Sequence, residues 1–125
     1  MLRKTAFAFV LLTLILGMSS SAFAQKTTVL RVVVVKTDNV AAYVEALGKG
    51  TEIMKKLGVA GQTRVWRATF AGPNAGSIAV AIEYPSIAAF ADADAKTHAD
   101  KEYMAWLQGL DKIRTIVSDS LYKEL

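Results

Sequence analysis

The chain has 125 residues, is 53% apolar, contains no cysteine and carries a formal net charge of +4. That length suits one domain, because a single core usually occupies about 100–200 residues. Two of the basic residues, Arg3 and Lys4, fall in the first 24 positions, so the remainder carries only +2. A surplus that small and unclustered argues against a nucleic-acid partner, which needs grouped Lys and Arg to meet phosphates.

The first 24 residues have the three parts of a secretory signal peptide. Arg3 and Lys4 form the charged start, Ala6 to Leu16 form an apolar run broken only by Thr13, and Ala22-Phe23-Ala24 is an A-x-A exit before Gln25. The run is shorter than the ~20 apolar residues that cross a bilayer. The expectation is Sec-type export, cleavage after Ala24, and a periplasmic or secreted domain over residues 25–125 with no membrane span. Without disulfides such a domain depends on packing alone, and a core of about 100 residues gives only modest stability. A partner subunit would add buried surface.

In chain order the mature sequence reads β-α-β-β-α-β. Thr28 to Lys36 (TVLRVVVVK) is dense in Val and apolar at alternating positions of both faces, as a strand covered on both sides would be. Asp38 or Thr37 is placed to cap a following helix. In that helix Val40, Tyr43, Val44 and Leu47 make one stripe, and Ile53, Met54 and Leu57 resume it. Gly48 and Gly50 predict a soft centre, and Gly58 a stop.

Thr63 to Ala71 and Ser77 to Tyr84 predict two strands joined through Gly72-Pro73-Asn74-Ala75-Gly76, where turn-forming residues concentrate. Ile78, Val80, Ile82 and Tyr84 share one face, with small Ala79 and Ala81 on the other. Ser86 is a predicted cap for a second helical segment anchored by Phe90. The polar stretch Asp92 to Asp100 predicts an interruption, and Asp100 a new cap before Tyr103, Met104, Trp106, Leu107 and Leu110. Arg114 to Tyr122 closes as a strand.

Two β-α-β units around a hairpin give an α+β ferredoxin-like sandwich, a four-stranded antiparallel sheet with its helices on one face. The apolar second face of the sheet then asks for a cover. A second copy packed sheet to sheet supplies one, making a dimeric α+β barrel.

The order of elements, the IEYPSIAAF passage from third strand to second helix and the HADKEYMAWL stretch together resemble the NIPSNAP-like group. That group belongs to the dimeric α+β barrel superfamily, which also holds the antibiotic-biosynthesis monooxygenases. Asp100-Lys101-Glu102-Tyr103 is similar to the family's Asp-Pro-Glu-aromatic cap, with Lys101 in place of Pro. The resemblance implies a homodimer of this fold and carries no settled activity. Haem binding by some members of the superfamily implies haem as an alternative cofactor; otherwise no cofactor is expected.

Few residues offer chemistry. His98 is the single histidine; alone it cannot build a zinc site, which takes about four ligands, so no metal is expected. It is either a solvated residue of a polar helix break or a candidate general base or haem ligand. Arg64 and Trp66 share a strand face, where an Arg beside an indole suits a planar or anionic ligand; equally, Trp66 fills a core or a dimer seam. Tyr43, Tyr84, Tyr103 and Trp106 either line a pocket between sheet and helices or belong to the ordinary core. No P-loop, dinucleotide fingerprint or nucleophile elbow is present. The sequence thus points to an exported small dimer of no established activity that either binds a small apolar or aromatic molecule or merely assembles. The alternative is a cofactor-independent monooxygenase or haem-handling enzyme in which Trp66, Tyr84 and His98 converge and Arg64 steers an anionic group.

Overall fold

The computed structural model describes residues 27–125; the expected signal peptide, residues 1–24, lies outside the described residues. Four strands, β1 (Val29–Lys36), β2 (Gln62–Arg67), β3 (Ile78–Tyr84) and β4 (Thr115–Lys123), alternate with helices α1 (Val40–Lys56), α2 (Ile87–His98) and α3 (Lys101–Asp111). The sheet runs β2-β3-β1-β4 with every neighbouring pair antiparallel. This is the ferredoxin-like α+β sandwich, with the second helical segment split in two.

The register shows how the strands are shared between faces. Val29, Val33 and Val35 stand opposite Tyr84, Val80 and Ile78, and all six are buried. Tyr43 and Leu47 of α1 and Leu110 of α3 pack on them. Ala93 of α2, with Phe90 beside it, closes the end near Val29 and Tyr84. Each such side chain contributes about 1.5–3 kcal/mol by leaving water. The other row, Leu30, Val32 and Val34 opposite Glu83, Ala81 and Ala79, faces away from the helices.

The caps follow local chemistry. Ser86 Oγ accepts from the Ala89 N–H, and an Asp100 carboxylate oxygen accepts from the Tyr103 N–H. At α1 the cap is Asn39, whose side chain accepts from the Ala42 N–H, one residue after the expected Asp38. Thr37 instead donates to the Ile113 carbonyl and ties the β1–α1 loop to the α3–β4 loop. The polar stretch from Asp92 is helical through His98, because Ala93 and Thr97 within it are buried. The Thr97 hydroxyl donates back to the Ala93 carbonyl.

The expected soft centre of α1 is not present: the helix is continuous for 17 residues. Gly50 is buried because the Trp106 indole lies directly on its backbone, where a Cβ would overlap the ring. Trp106 also donates its Nε1–H to the Ala46 carbonyl at 2.7 Å. Gly50 is therefore a close-approach position joining α1 to α3.

Candidate functional site

On the helix-free face of the sheet, the floor is built from short or branched residues. Leu30, Val32 and Val34 come from β1 and Ala79 and Ala81 from β3. Trp66 stands opposite Ala79 and Arg64 opposite Ala81 on edge strand β2. Tyr122 stands opposite Leu30 on edge strand β4. Trp66 and Tyr122 are each 57% exposed. Between the two aromatic rims lies a concavity of about 520 Å³ whose lining includes Leu30, Ala81, Trp66, Tyr122, Arg64 and Glu83. An apolar floor with two flat aromatic walls and a few charged groups at the rim is the composition of a small-molecule site.

The opposite face holds a second group, partly covered by the helices. Arg31, within the otherwise apolar β1, faces the helices opposite Ile82. It forms a two-pronged pair with Asp119 of β4, Nε to Oδ1 at 3.0 Å and Nη2 to Oδ2 at 2.7 Å. Arg114, its side chain only 8% exposed, pairs with Asp111 and donates to the Tyr43 hydroxyl at 3.4 Å. These two guanidinium groups, with Tyr103 and Trp106, line a small cavity of about 70 Å³ between sheet and helices. The hydrogen-bonded Arg31 guanidinium holds the Asp119 carboxyl below its usual range. Burial pushes the Tyr84 and Tyr103 hydroxyls up, against the pull of Arg31, so both stay protonated at neutral pH.

The sign of the Asp119 effect fixes a pH prediction. A folded-state value below the unfolded one gives stability that is present above about pH 4 and lost as pH falls through the lowered value. Because Asp119 is partly exposed, the expected contribution is about 1 kcal/mol or less. Acid unfolding followed by circular dichroism should therefore begin at higher pH in Asp119→Asn than in the parent chain. Coincident curves would remove the pair as a source of acid stability.

The residues singled out from sequence divide across the sheet. Trp66 and Arg64 do share a face, the open one. Tyr43 is fully buried and Tyr84 nearly so, both on the helix side; they are core, with the Tyr43 hydroxyl additionally bound by Arg114. His98 lies at the exposed end of α2, with Nδ1 2.8 Å from the Asp94 carbonyl oxygen and its ring 6.0 Å from Tyr103. Within one chain the sheet thus separates Trp66 from Tyr84 and His98, and the expected convergence does not form. His98 borders none of the clefts lined by Trp66, Lys112 or Trp106.

Sequence reasoning missed Arg31, Asp119 and Arg114. Arg31 did leave a signal, a lone charge at the helix-facing parity of an otherwise aliphatic strand. Its partner lies 88 residues away and left none.

Solved structures share this architecture. A crystal structure of SnoaB, described as a cofactor-independent oxygenase from Streptomyces nogalater, matches with a TM-score of 0.59 at 13% identity, covering 79% of this chain and 94% of that one. A point mutant of the same protein matches with a TM-score of 0.57 at 12% identity, over 76% and 90% of the two chains. Identity that low carries the fold and nothing finer. No protein-family model and no curated protein matches the sequence.

Proposed function

We propose that this is an exported, homodimeric α+β barrel protein of the NIPSNAP-like kind that holds a small apolar or aromatic molecule on the open face of its sheet. The observation that carries the reading is the uncovered apolar row of β1 and β3, flanked by two exposed aromatic side chains. Sheets of this kind normally have one face packed and one polar; here the centre of the second face is Leu30, Val32, Val34, Ala79 and Ala81, with the polar residues Arg64, Glu83, Ser118 and Ser120 around it. A second copy laid across it buries Val32, Val34 and Ala79, and encloses the concavity between Trp66 and Tyr122. Export rests on the signal-peptide pattern alone, while no helix among the described residues is long and apolar enough to cross a membrane.

Sedimentation at micromolar concentration and titration with anilinonaphthalene sulfonate test both halves. The expected result is a dimer of the mature chain and saturable probe fluorescence, weakened about fivefold or more by Trp66→Ala, since a lost aromatic contact costs about 1 kcal/mol or more. A strict monomer sinks the dimer. Probe binding unchanged in Trp66→Ala sinks the site.

A second reading, oxidation of the bound molecule by dioxygen without a cofactor, is favoured by the shared fold with a cofactor-independent oxygenase. An electron-rich phenol would supply its own electrons, with one oxygen atom entering the product and the other leaving as water. Oxygen uptake dependent on both the protein and a polyphenol separates this reading from simple binding.

A further inference from the structure

Antiparallel pairing gathers the ends of β1 and β2 and the starts of β3 and β4 at one end of the sheet. The longest loop there joins β2 to β3 over residues 68–77 (ATFAGPNAGS), and it contains no charged side chain. Phe70 stands in this loop and is fully exposed. Apart from the C-terminal Leu125, no other large apolar side chain among the described residues is more than 57% exposed.

Large apolar residues exposed one at a time are ordinary, but this one is held out by a closed loop. The Ala68 N–H donates to the Ser77 carbonyl at 2.8 Å, and the Ala68 carbonyl accepts from the Gly76 N–H at 2.7 Å. Those two bonds tie the ends of the loop together. Within it the Asn74 N–H donates to the Ala71 carbonyl and the Ala75 N–H to that of Gly72.

The charges beside the loop are mostly basic. Arg67 ends β2, three residues before Phe70. It is paired with Ile78, which is paired in turn with Val35, the neighbour of Lys36. Lys36 and Lys112 border the same cleft as Ala75 and Gly76 of the loop. Lys36, Arg67 and Lys112 are all exposed, and none has an ion-pair partner among the described residues. Asp38 is the single acidic residue on the border of that cleft, and Asp111 is taken by Arg114.

We infer that this end of the molecule docks on an anionic lipid bilayer, with Phe70 entering the boundary between headgroups and acyl chains and Lys36, Arg67 and Lys112 against the lipid phosphates. A bilayer accepts a protruding ring without a pre-shaped pocket, and its negative surface complements the unpaired cations. The cations need only share one end of the sheet, because the partner is a surface rather than a point. Apolar insertion and charge attraction act together here, as reversible membrane association requires of weak single anchors. The inference does not depend on the concavity between Trp66 and Tyr122.

Flotation of the mature chain with vesicles tests it, using phosphatidylcholine alone and an equimolar mixture with phosphatidylglycerol. Binding is expected on the mixed vesicles, at least about tenfold weaker on the neutral ones, and falling as salt rises. Phe70→Ala is expected to weaken binding about tenfold. It should leave the melting temperature unchanged, since a fully exposed ring adds no packing. Lys36→Gln with Arg67→Gln and Lys112→Gln should remove the preference for the anionic vesicles. The chain has no cysteine, so Phe70→Cys can carry a single polarity-sensitive fluorophore. Its emission should move to the blue at saturating mixed lipid, while the same label on Glu52→Cys of α1 should not respond. Absence of binding, equal binding to both vesicles, full binding by Phe70→Ala, or a label that stays in water at position 70 each overturn the inference. Loss of the soluble dimer in Phe70→Ala, with no lipid binding by the parent, overturns it in favour of a second copy as the occupant.

Discussion

Replacing Gly50 with alanine is expected to lower the stability of the domain by about 2 kcal/mol, although alanine is the better helix former by about 1 kcal/mol. The new methyl would overlap the six-membered ring of Trp106. Overpacking of this kind costs about 1–3 kcal/mol. Displacing the indole also breaks its bond to the Ala46 carbonyl, worth a further ~1 kcal/mol. For about 100 residues the net loss lowers the melting temperature by about 10 °C. Gly48 supplies the control, because a Cβ there meets nothing within 4 Å. Gly48→Ala should raise stability by about 1 kcal/mol from propensity alone. Two glycines in one helix, two residues apart, should thus respond with opposite signs in parallel thermal melts. Stabilisation by both would mean that Trp106 does not press on α1 in solution.

The second large effect concerns the open face. Ala79→Glu places a carboxylate at the centre of the apolar row, opposite Val34 on one side and Trp66 on the other. In a twofold dimer the substitution appears twice in one seam. An unpaired buried charge costs several kcal/mol, so dimerisation should weaken by more than about 100-fold, equivalent to ~2.7 kcal/mol. Because Ala79 points away from Val33, Tyr43 and Leu110, the monomer should keep its secondary structure. Analytical ultracentrifugation with circular dichroism on the same sample reads both. A variant that stays dimeric would place the contact elsewhere on the molecule.

The elements were legible because each had a local cause. The period-two pattern of Ile78, Val80, Ile82 and Tyr84 gave a strand and identified its buried face. Ser86 and Asp100 were visible as caps because a short oxygen-bearing side chain before a helix accepts free N–H groups whatever the tertiary context. Of the two residues expected to cap α1, Thr37 instead donates to the distant Ile113 carbonyl, and Asn39 is the cap. Gly50 was misread for a related reason. In the sequence it is only a weak helix former, and the indole that requires it lies 56 positions later in the chain.

The candidate sites follow the same division. Arg64 and Trp66 were correctly placed on one face, because alternation along a strand is a local rule. The separation of Trp66 from Tyr84 and His98 was not visible, since only the pairing of β2 with β3 decides which parity meets the helices. Arg31 shows the limit within a single strand: it is the one charge inside an aliphatic run, but nothing nearby in the chain said which face meets the helices or which carboxylate would receive it.

The sequence by itself determined the order and type of the elements, most of their caps and the existence of an apolar second sheet face, all properties of residues within a few positions of one another. Only the tertiary structure decided which side chains share a cavity, that Gly50 is a contact surface and that Asp119 answers Arg31. Those depend on register and on the approach of distant elements, which no local spacing encodes.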